Sequence, residues 1–201
     1  MGRMSRRAEV RQRRQAEILS AAAAIFADRG YHQTRLEDVG SAVGISGPAL
    51  YRYFRGKDEL LAEILIDISI RLVDGARNVL DTAAKERFDA EQTLVGLLKH
   101  HVEFAVTEPD LIRVQEREIR NLAPQQREKV RSLQRTYLAM WVQSLRAVRP
   151  ELSAEDARVQ VQLTAGLINS SRHIVHWAGA DRVRDCTVQM AIASLNVPRN
   201  P

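Results

Sequence analysis

Apolar residues recur every three or four positions along most of this 201-residue chain, which is the spacing of helices that pack one face against a core. In residues 9–29, for example, Ile18 and Phe26 share a face. Gly30 follows directly, at a position typical of a helix C-cap. No segment alternates apolar and polar residues over the about six positions that a half-buried strand would need. The pattern therefore predicts an all-α protein.

Glycine and proline interrupt this spacing often enough to predict about nine helices. Their expected ranges are 9–29, 35–43, 48–54, 57–80, 90–107, 110–122, 125–149, 154–178 and 181–195. Thr34 is expected to cap the second helix, because its hydroxyl can accept a hydrogen bond from a free N–H of the first turn.

The second and third predicted helices are short and are joined by a turn that contains Gly44, which is the arrangement of a helix-turn-helix. The third helix opens at Ser46–Pro48, where a capping hydroxyl precedes a glycine and a proline suited to the first turn. It continues through Tyr51–Tyr53, and a helix buried in a core would not carry two tyrosines and an arginine together. An accidental pair of short helices is the alternative.

Positive charge is concentrated near the start of the chain. Residues 1–57 hold 11 Lys and Arg against 5 Asp and Glu, a net charge of +6, whereas residues 58–201 hold 19 against 20. Such a segment is typical of a surface that meets nucleic acid or an anionic membrane, and a solvated tail is the alternative. A basic arm could enter a minor groove or raise non-specific affinity; it comprises Arg3, Arg6, Arg7, Arg11, Arg13 and Arg14.

These features resemble the N-terminal signature of TetR/AcrR-family transcriptional regulators, over roughly residues 14–72. The matching positions are Gly30, Tyr31, Thr34, Asp38, Val39, Gly44, Ile45, Ser46, Leu50, Tyr51, Tyr53, Phe54, Lys57, Leu60 and Leu61. Gly40 and Val43 stand where the family usually has alanine, and Gly40 is expected to loosen the second helix. The resemblance implies an all-α homodimeric repressor, in which three N-terminal helices bind a partly palindromic double-stranded DNA operator and a variable helical remainder binds an inducer.

Residue types within the motif suggest roles at the DNA. Thr34 and Arg35, at the start of the second helix, are suited to a phosphate. Tyr53 and Lys57 resemble a second phosphate clamp of the family. Base edges are expected to meet Ser46, Gly47, Pro48, Tyr51 and Arg52. For Tyr51, packing into the core is the alternative.

The motif and the charge distribution divide the chain into two predicted domains. Residues 1–57 are the DNA-binding domain with its basic arm, and residues 58–201 are the ligand-binding and dimerisation domain. Helix 57–80 is expected to be the only covalent link between the reading helices and the ligand pocket. We therefore expect it to act as a rigid lever when a ligand binds.

The predicted helix 154–178 carries two opposed apolar stripes. One includes Val159, Leu163, Leu167, Ile174 and Trp177, and the other includes Ala157, Val161, Thr164, Ile168 and Val175. Two stripes need two partners, so we expect a homodimer through helices 154–178 and 181–195. A fully buried helix in a monomer is the alternative.

Several polar side chains fall inside or beside the apolar arcs of the C-terminal helices, which is typical of a small-molecule pocket. The predicted effector lining is Gln115, Glu118, Gln134, Tyr137, Trp141, Asn169 and His173. Ordinary interior hydrogen bonding explains any single one of them equally well, and a buried glutamate needs a partner in either case. The mostly apolar surroundings favour a bulky hydrophobic or acyl-type effector.

No motif predicts catalysis, since the chain lacks a Gly-rich phosphate loop, a nucleophile elbow and HExxH, so neither enzyme activity nor a cofactor is expected. The single cysteine, Cys186, excludes an internal disulfide and is expected to be a small buried residue. The alternative function is a metal sensor, using His173 and His176 with the His100–His101 pair, or another helical binding protein without effector-controlled DNA release. No apolar run approaches the roughly 20 residues of a membrane span, so we expect a cytoplasmic protein without membrane contact.

Overall fold

The computed structural model describes residues 6–196, and every regular element among them is a helix. The α-helices are α1 Arg6–Arg29, α2 Leu36–Ala42, α3 Gly47–Leu50, α4 Lys57–Glu86, α5 Ala90–Thr107, α6 Pro109–Glu118, α7 Pro124–Val148, α8 Ala154–Asn169, α9 Val175–Ala178 and α10 Ala180–Ser194. Short 3₁₀ turns follow α6 at Ile119–Asn121 and α8 at Ser170–His173. Within residues 6–196 no helix combines the length and apolar content needed to cross a bilayer. The predicted all-α fold is confirmed.

Four helices end at least four residues from their predicted ends. One is α6, which stops at Glu118 instead of residue 122 and is followed by a 3₁₀ turn. The segment 154–178 is not one helix, because α8 stops at Asn169, where the Ser170 hydroxyl donates to the Leu167 carbonyl and competes with the helical hydrogen bonds. α4 continues beyond residue 80 to Glu86, since no glycine or proline intervenes. α3 is confined to Gly47–Leu50, and the residues that follow form a turn.

Packing divides the described chain into two compact units. The first unit comprises residues 6–67 and 113–128, and the second comprises residues 68–112 and 129–196. Helices α4, α6 and α7 contribute to both units, so the chain passes between them three times. The predicted lever helix is the first of these three crossings, and its action as a lever stays a prediction. The predicted functional division after residue 57 stays a prediction.

The helix-turn-helix of the first unit depends on a close approach at Gly40. The Ile45 N–H donates to the Gly40 carbonyl at 2.9 Å, and a Cβ at Gly40 would lie 2.8 Å from the Ile45 carbonyl oxygen. Any larger residue would have to push the turn open. Gly40, a departure from the family pattern, thus permits the tight turn that places α3.

A buried chain of polar groups joins α5, α7 and α8 in the second unit. Nδ1 of His101 lies 3.1 Å from the Tyr137 hydroxyl, and its Nε2 lies 3.1 Å from Oδ1 of Asn169. Because an amide oxygen only accepts, Nε2 carries the proton and the tyrosine hydroxyl donates to Nδ1. The Trp141 ring stands edge-on to the imidazole, with centroids 5.4 Å apart.

Burial lowers the pKa of His101 to about 4, although the Asn169 hydrogen bond opposes this shift. The unfolded chain binds a proton at this histidine near pH 6.5. As the pH falls from 6.5 to 4, the unfolded state therefore gains a proton that the folded state does not accept. The folded state therefore loses stability as the pH falls through this interval. Above pH 6.5 the titration of His101 does not change the free energy of unfolding.

We expect the neutral His101 to reduce the free energy of unfolding by about 3 kcal/mol between pH 7 and pH 4. The His101→Gln variant lacks this pH dependence, so the free energy of unfolding of the wild type minus that of the variant should fall by about 3 kcal/mol from pH 7 to pH 4. Urea denaturation at several pH values measures both proteins, with His176→Gln, at an exposed histidine, as the control. A gap between wild type and His101→Gln that does not change with pH would contradict the assignment.

Candidate functional site

The side chains predicted to meet base edges are exposed along α3 and the turn after it. Ser46, Pro48, Tyr51 and Arg52 are exposed, and Gly47 is half-buried. Tyr51 has 56% of its surface exposed, so it does not pack into the core of this chain. Leu50 and Phe54 are fully buried and anchor α3 and the turn after it in the core of the first unit. The segment therefore offers a row of donors and an aromatic ring to an outside partner.

Two arginines of α1 hold both ends of this region. Arg11 donates to the carbonyl of Arg52 at 3.4 Å, and Arg14 donates to the carbonyl of Val43 at 2.7 Å. Val43 closes the C-terminus of α2, where positive charge suits the helix dipole. Part of the predicted basic arm thus braces the helix-turn-helix. Arg3 lies outside the described residues, and a role of the other arginines in a minor groove stays a prediction.

The turn between α1 and α2 corrects the role expected for Thr34. Its side chain is only 2% exposed, and its hydroxyl donates to the Gly30 carbonyl at 2.8 Å. The hydroxyl proton is therefore not available to a phosphate, and the prediction that Thr34 caps α2 is wrong. Arg35 is the N-cap residue instead, with its N–H donating to Asp38 at 2.9 Å and its side chain exposed.

Lys57, at the start of α4, binds the same turn from one side. Its Nζ donates to the carbonyls of Tyr31 at 2.7 Å and Thr34 at 3.0 Å, and it lies 4.3 Å from the centre of the Tyr31 ring. The Tyr31 hydroxyl donates to the Asp58 carboxylate. Since an ammonium has three N–H groups, Lys57 keeps at most one for a phosphate. Tyr53, its expected partner at the phosphate, is half-buried.

A buried carboxylate from α6 binds the turn from the other side. Glu118 is 5% exposed; its Oε1 accepts from the Tyr31 N–H at 3.3 Å and its Oε2 accepts from the Asn121 amide at 2.7 Å. Arg117 donates to the Ala27 carbonyl at 3.2 Å. An open cavity of about 420 Å³ lies beside this contact. Sequence reasoning identified Glu118 as a buried glutamate in need of a partner but could not name a backbone group 87 residues away.

The predicted effector lining is divided between the two units. Gln115 and Glu118 belong to the first unit, whereas Gln134, Tyr137, Trp141, Asn169 and His173 belong to the second. In the second unit Tyr137, Trp141 and Asn169 surround His101, Gln134 is half-buried and His173 is exposed. From the sequence, His101 is expected only as a metal ligand in the alternative function of a metal sensor. Its place on the face of Leu94, Leu97 and Leu98 was the signal that it is buried.

A cavity of about 750 Å³ lies between α4, α5 and α10 in the second unit. Val79 and Val188 form part of its wall, and its charged side chains are Lys99 and Arg184 together with Glu103 and Asp185. Arg184 pairs with Glu103 at 2.6 Å. In the part of the chain that the structure describes, no group of three or more His, Cys, Asp or Glu side chains is placed to hold a metal ion.

Helices α8 to α10 leave one apolar face open to solvent. Its large members are Val159, Leu163, Ile174, Trp177 and Met190. Leu163 and Trp177 are 69% and 70% exposed, while Ala157, Val161, Thr164 and Ile168 on the other stripe are buried. Cys186 is also exposed rather than buried as expected, beside Met190. The second unit therefore covers only one of the two predicted stripes.

Two family models match the chain. One, described as bacterial regulatory proteins of the tetR family, matches residues 18–64, and the other, described as a tetracyclin repressor-like C-terminal domain, matches residues 88–190. A curated relative, the HTH-type transcriptional activator FasR of Mycolicibacterium smegmatis, is 36% identical over 77 residues, which cover 38% of this chain and 35% of that protein. The chain thus matches about a third of the length of that relative.

Solved structures share the fold. A TetR-family transcriptional regulator from Bordetella parapertussis has a TM-score of 0.79 and 26% identity, over 92% of this chain and 98% of that chain. The regulator FadR of Bacillus subtilis, solved in complex with stearoyl-CoA, has a TM-score of 0.68 and 17% identity, over 89% of this chain and 98% of that chain. The second family model alone spans more than half of the sequence. This chain belongs to the TetR family of bacterial transcriptional regulators.

Proposed function

We propose that the protein is a sequence-specific DNA-binding repressor that acts as a homodimer and leaves its operator when it binds an apolar or acyl-type effector. The observation that carries the DNA-binding part is the exposed row of Ser46, Pro48, Tyr51 and Arg52 on α3 and its flanking residues, where Leu50 and Phe54 are buried. The relative FasR is named as an activator, so the direction of regulation belongs to the test.

The exposed row has the chemistry of base recognition. A guanidinium such as that of Arg52 can donate two hydrogen bonds to the O6 and N7 of guanine. The ring of Pro48 and the body of Tyr51 can contact a thymine methyl group. Arg35 at the start of α2, with Tyr53 and the remaining N–H of Lys57, supplies phosphate contacts that fix the orientation on the duplex.

Two features support a homodimer, namely the small size of α3 and the exposed apolar face of the second unit. One short recognition helix reads too few base pairs for tight binding, whereas two related copies read two half-sites. A contiguous exposed apolar face is typical of an interaction site. Leu163 and Trp177 belong to such a face, which includes residues of α8 to α10. In a twofold dimer the same face of a second copy covers it.

Support for an acyl-type effector comes from the second unit. A cavity of about 750 Å³ is within the size range of small-molecule sites, and its wall combines apolar side chains with Lys99 and Arg184. FadR, which has the same fold, binds stearoyl-CoA in its solved complex. The apolar chain of an acyl thioester suits the apolar part of this wall. Lys99 is the cation proposed to meet its anionic head, since Arg184 is paired with Glu103.

Arg52→Ala should weaken binding to the preferred DNA sequence by about 1–3 kcal/mol and binding to unrelated duplex much less, because a base contact carries the sequence information. Selection from a pool of randomised duplexes identifies the preferred sequence, and fluorescence anisotropy measures both affinities. Arg55→Ala, at another exposed arginine, is the matched control and should lower both affinities alike. An equal loss on both duplexes for Arg52→Ala would rule out base reading by this residue.

Leu163→Glu should convert the dimer into a monomer, since it places a charge in the middle of the apolar face. Sedimentation velocity reports the oligomeric state, and affinity for the palindromic duplex should fall by about tenfold or more. Phe88→Glu, at an exposed apolar residue of the link between α4 and α5, is the control and should remain dimeric. Tight, sequence-specific binding by a monomeric wild-type protein would overturn the dimer proposal.

Stearoyl-CoA should raise the midpoint temperature of unfolding and lower the affinity for the selected duplex. At a hundredfold excess over its dissociation constant, a ligand of the folded state contributes about 2.7 kcal/mol of stability. Coenzyme A alone is the control. Transcription in vitro from a template carrying the selected site should increase with stearoyl-CoA for a repressor and decrease for an activator. If acyl thioesters of short, medium and long chain all leave the unfolding temperature and the DNA affinity unchanged, the proposed effector class is wrong. The proposal of DNA binding would still stand.

A further inference from the structure

Helix α6 belongs to both compact units. Its first residues, 109–112, are part of the second unit, and residues 113–118 are part of the first. The last turn of this helix, with the 3₁₀ turn after it, binds the connection between α1 and α2 through side chains of Arg117, Glu118 and Asn121.

Glu118 makes the buried contact of this set. The Arg117 side chain is about half exposed and His32, which lies 3.1 Å from Asn121, is exposed, whereas Glu118 and Tyr31 are both buried. A carboxylate away from water requires hydrogen-bond donors, and both of its oxygens have them. The Arg117 guanidinium lies 3.9 Å from the same oxygen that accepts from Tyr31.

The Tyr31 N–H needs this acceptor because of the way α1 ends. Gly30 has φ of +83°, and its own N–H returns to the Phe26 carbonyl at 2.9 Å. In a Schellman cap the next N–H would also return to the helix, but here the Tyr31 N–H turns away and meets Glu118. Without Glu118 a buried backbone donor would be left unpaired.

We propose that Glu118 is a positioning residue for DNA recognition, because it fixes the connection that leads from α1 into α2 and α3. Tyr31 is held at its N–H by α6 and at its carbonyl by α4, and the chain enters α2 only a few residues later. Loss of the Glu118 acceptor therefore acts on the residues that lead into α2 within the first unit. The DNA readout of this role rests on the function proposed above.

Three substitutions separate the hydrogen bond from packing and charge. Glu118→Leu fills the space without an acceptor for the Tyr31 N–H. Glu118→Gln keeps one acceptor oxygen, and a rotated Asn121 amide can pair with its new NH₂ group. Glu116→Gln makes the same chemical change at an exposed residue of α6 and is the matched control. Glu118→Ala repeats the loss of the acceptor with a smaller side chain.

Amide hydrogen exchange and DNA affinity test the role together. In Glu118→Leu and Glu118→Ala the peptide that spans residues 27–36 should exchange about tenfold faster or more, and affinity for the selected duplex should fall about tenfold. Glu118→Gln should stay within about threefold of the wild type in both readouts, and Glu116→Gln should match it. Peptides of α5 and α10 should keep their wild-type exchange, which excludes a general loss of stability.

The outcomes distinguish this role from the proposed function. Wild-type exchange at residues 27–36 in both variants without an acceptor would overturn the contact, and faster exchange with unchanged DNA affinity would overturn its role in recognition. If Glu118→Gln falls as far as Glu118→Leu, the charge rather than the hydrogen bond matters and the proposal fails. A wild-type protein that binds no duplex would refute the proposed function, while hydrogen exchange would still decide whether Glu118 holds the turn.

Discussion

Two hydrogen bonds to the backbone of Tyr31 hold the first unit together at the point where α1 ends. Beyond a helix terminus the N–H and carbonyl groups have no partner in the helix, and in a buried residue these groups cannot form hydrogen bonds with water. The Lys57 ammonium, 26 residues away in sequence, donates to the Tyr31 carbonyl, and the Glu118 carboxylate, 87 residues away, accepts from the Tyr31 N–H. Hydrogen bonds to charged groups are stronger than those between neutral groups. The orientation of α2, and with it of α3, depends on this pair.

The second unit solves the same problem of buried polarity with neutral groups. His101 has one donor and one acceptor, and Tyr137 and Asn169 match both, so the chain of hydrogen bonds leaves neither ring nitrogen unpaired. Burial also raises the pKa of Tyr137, which keeps its hydroxyl protonated as the donor. Such a fully paired network specifies one arrangement of α5, α7 and α8. α8 ends at Asn169, one of its members, where the backbone changes to a 3₁₀ turn.

The sequence was sufficient for features that depend on local spacing. The helical period located most of the helices, and the grouping of two tyrosines and an arginine at Tyr51–Tyr53 indicated an exposed segment. In the structure Tyr51 and Arg52 are exposed, while Leu50 and Phe54 beside them are buried. The same period predicted two stripes on 154–178, of which one is buried. It could not foresee the end of α8, which depends on the hydroxyl of Ser170.

Features that depend on distant partners escaped sequence reasoning. Thr34 and Lys57 have the residue types of phosphate ligands, yet most of their hydrogen-bonding capacity is used within the turn between α1 and α2. Gln115 and Glu118 are predicted to line the effector pocket because they fall inside an apolar arc of their helix. They belong to the first unit, however, whereas the other predicted lining residues belong to the second. Residue type limits what a side chain can bind, whereas tertiary packing decides which of the available partners it meets.

Neither compact unit is a continuous stretch of chain, and this affects how the protein is made. The ribosome releases α1 to the first half of α4 well before α6, and at about 5–20 residues per second the delay amounts to several seconds. During that time the helix-turn-helix exists without its second anchor, and the Tyr31 N–H lacks the acceptor it has in the finished fold. A fragment ending within α4 carries every side chain proposed to read bases but lacks Glu118, which we propose positions them. The DNA-reading half is thus completed only after much of the other unit has been synthesised.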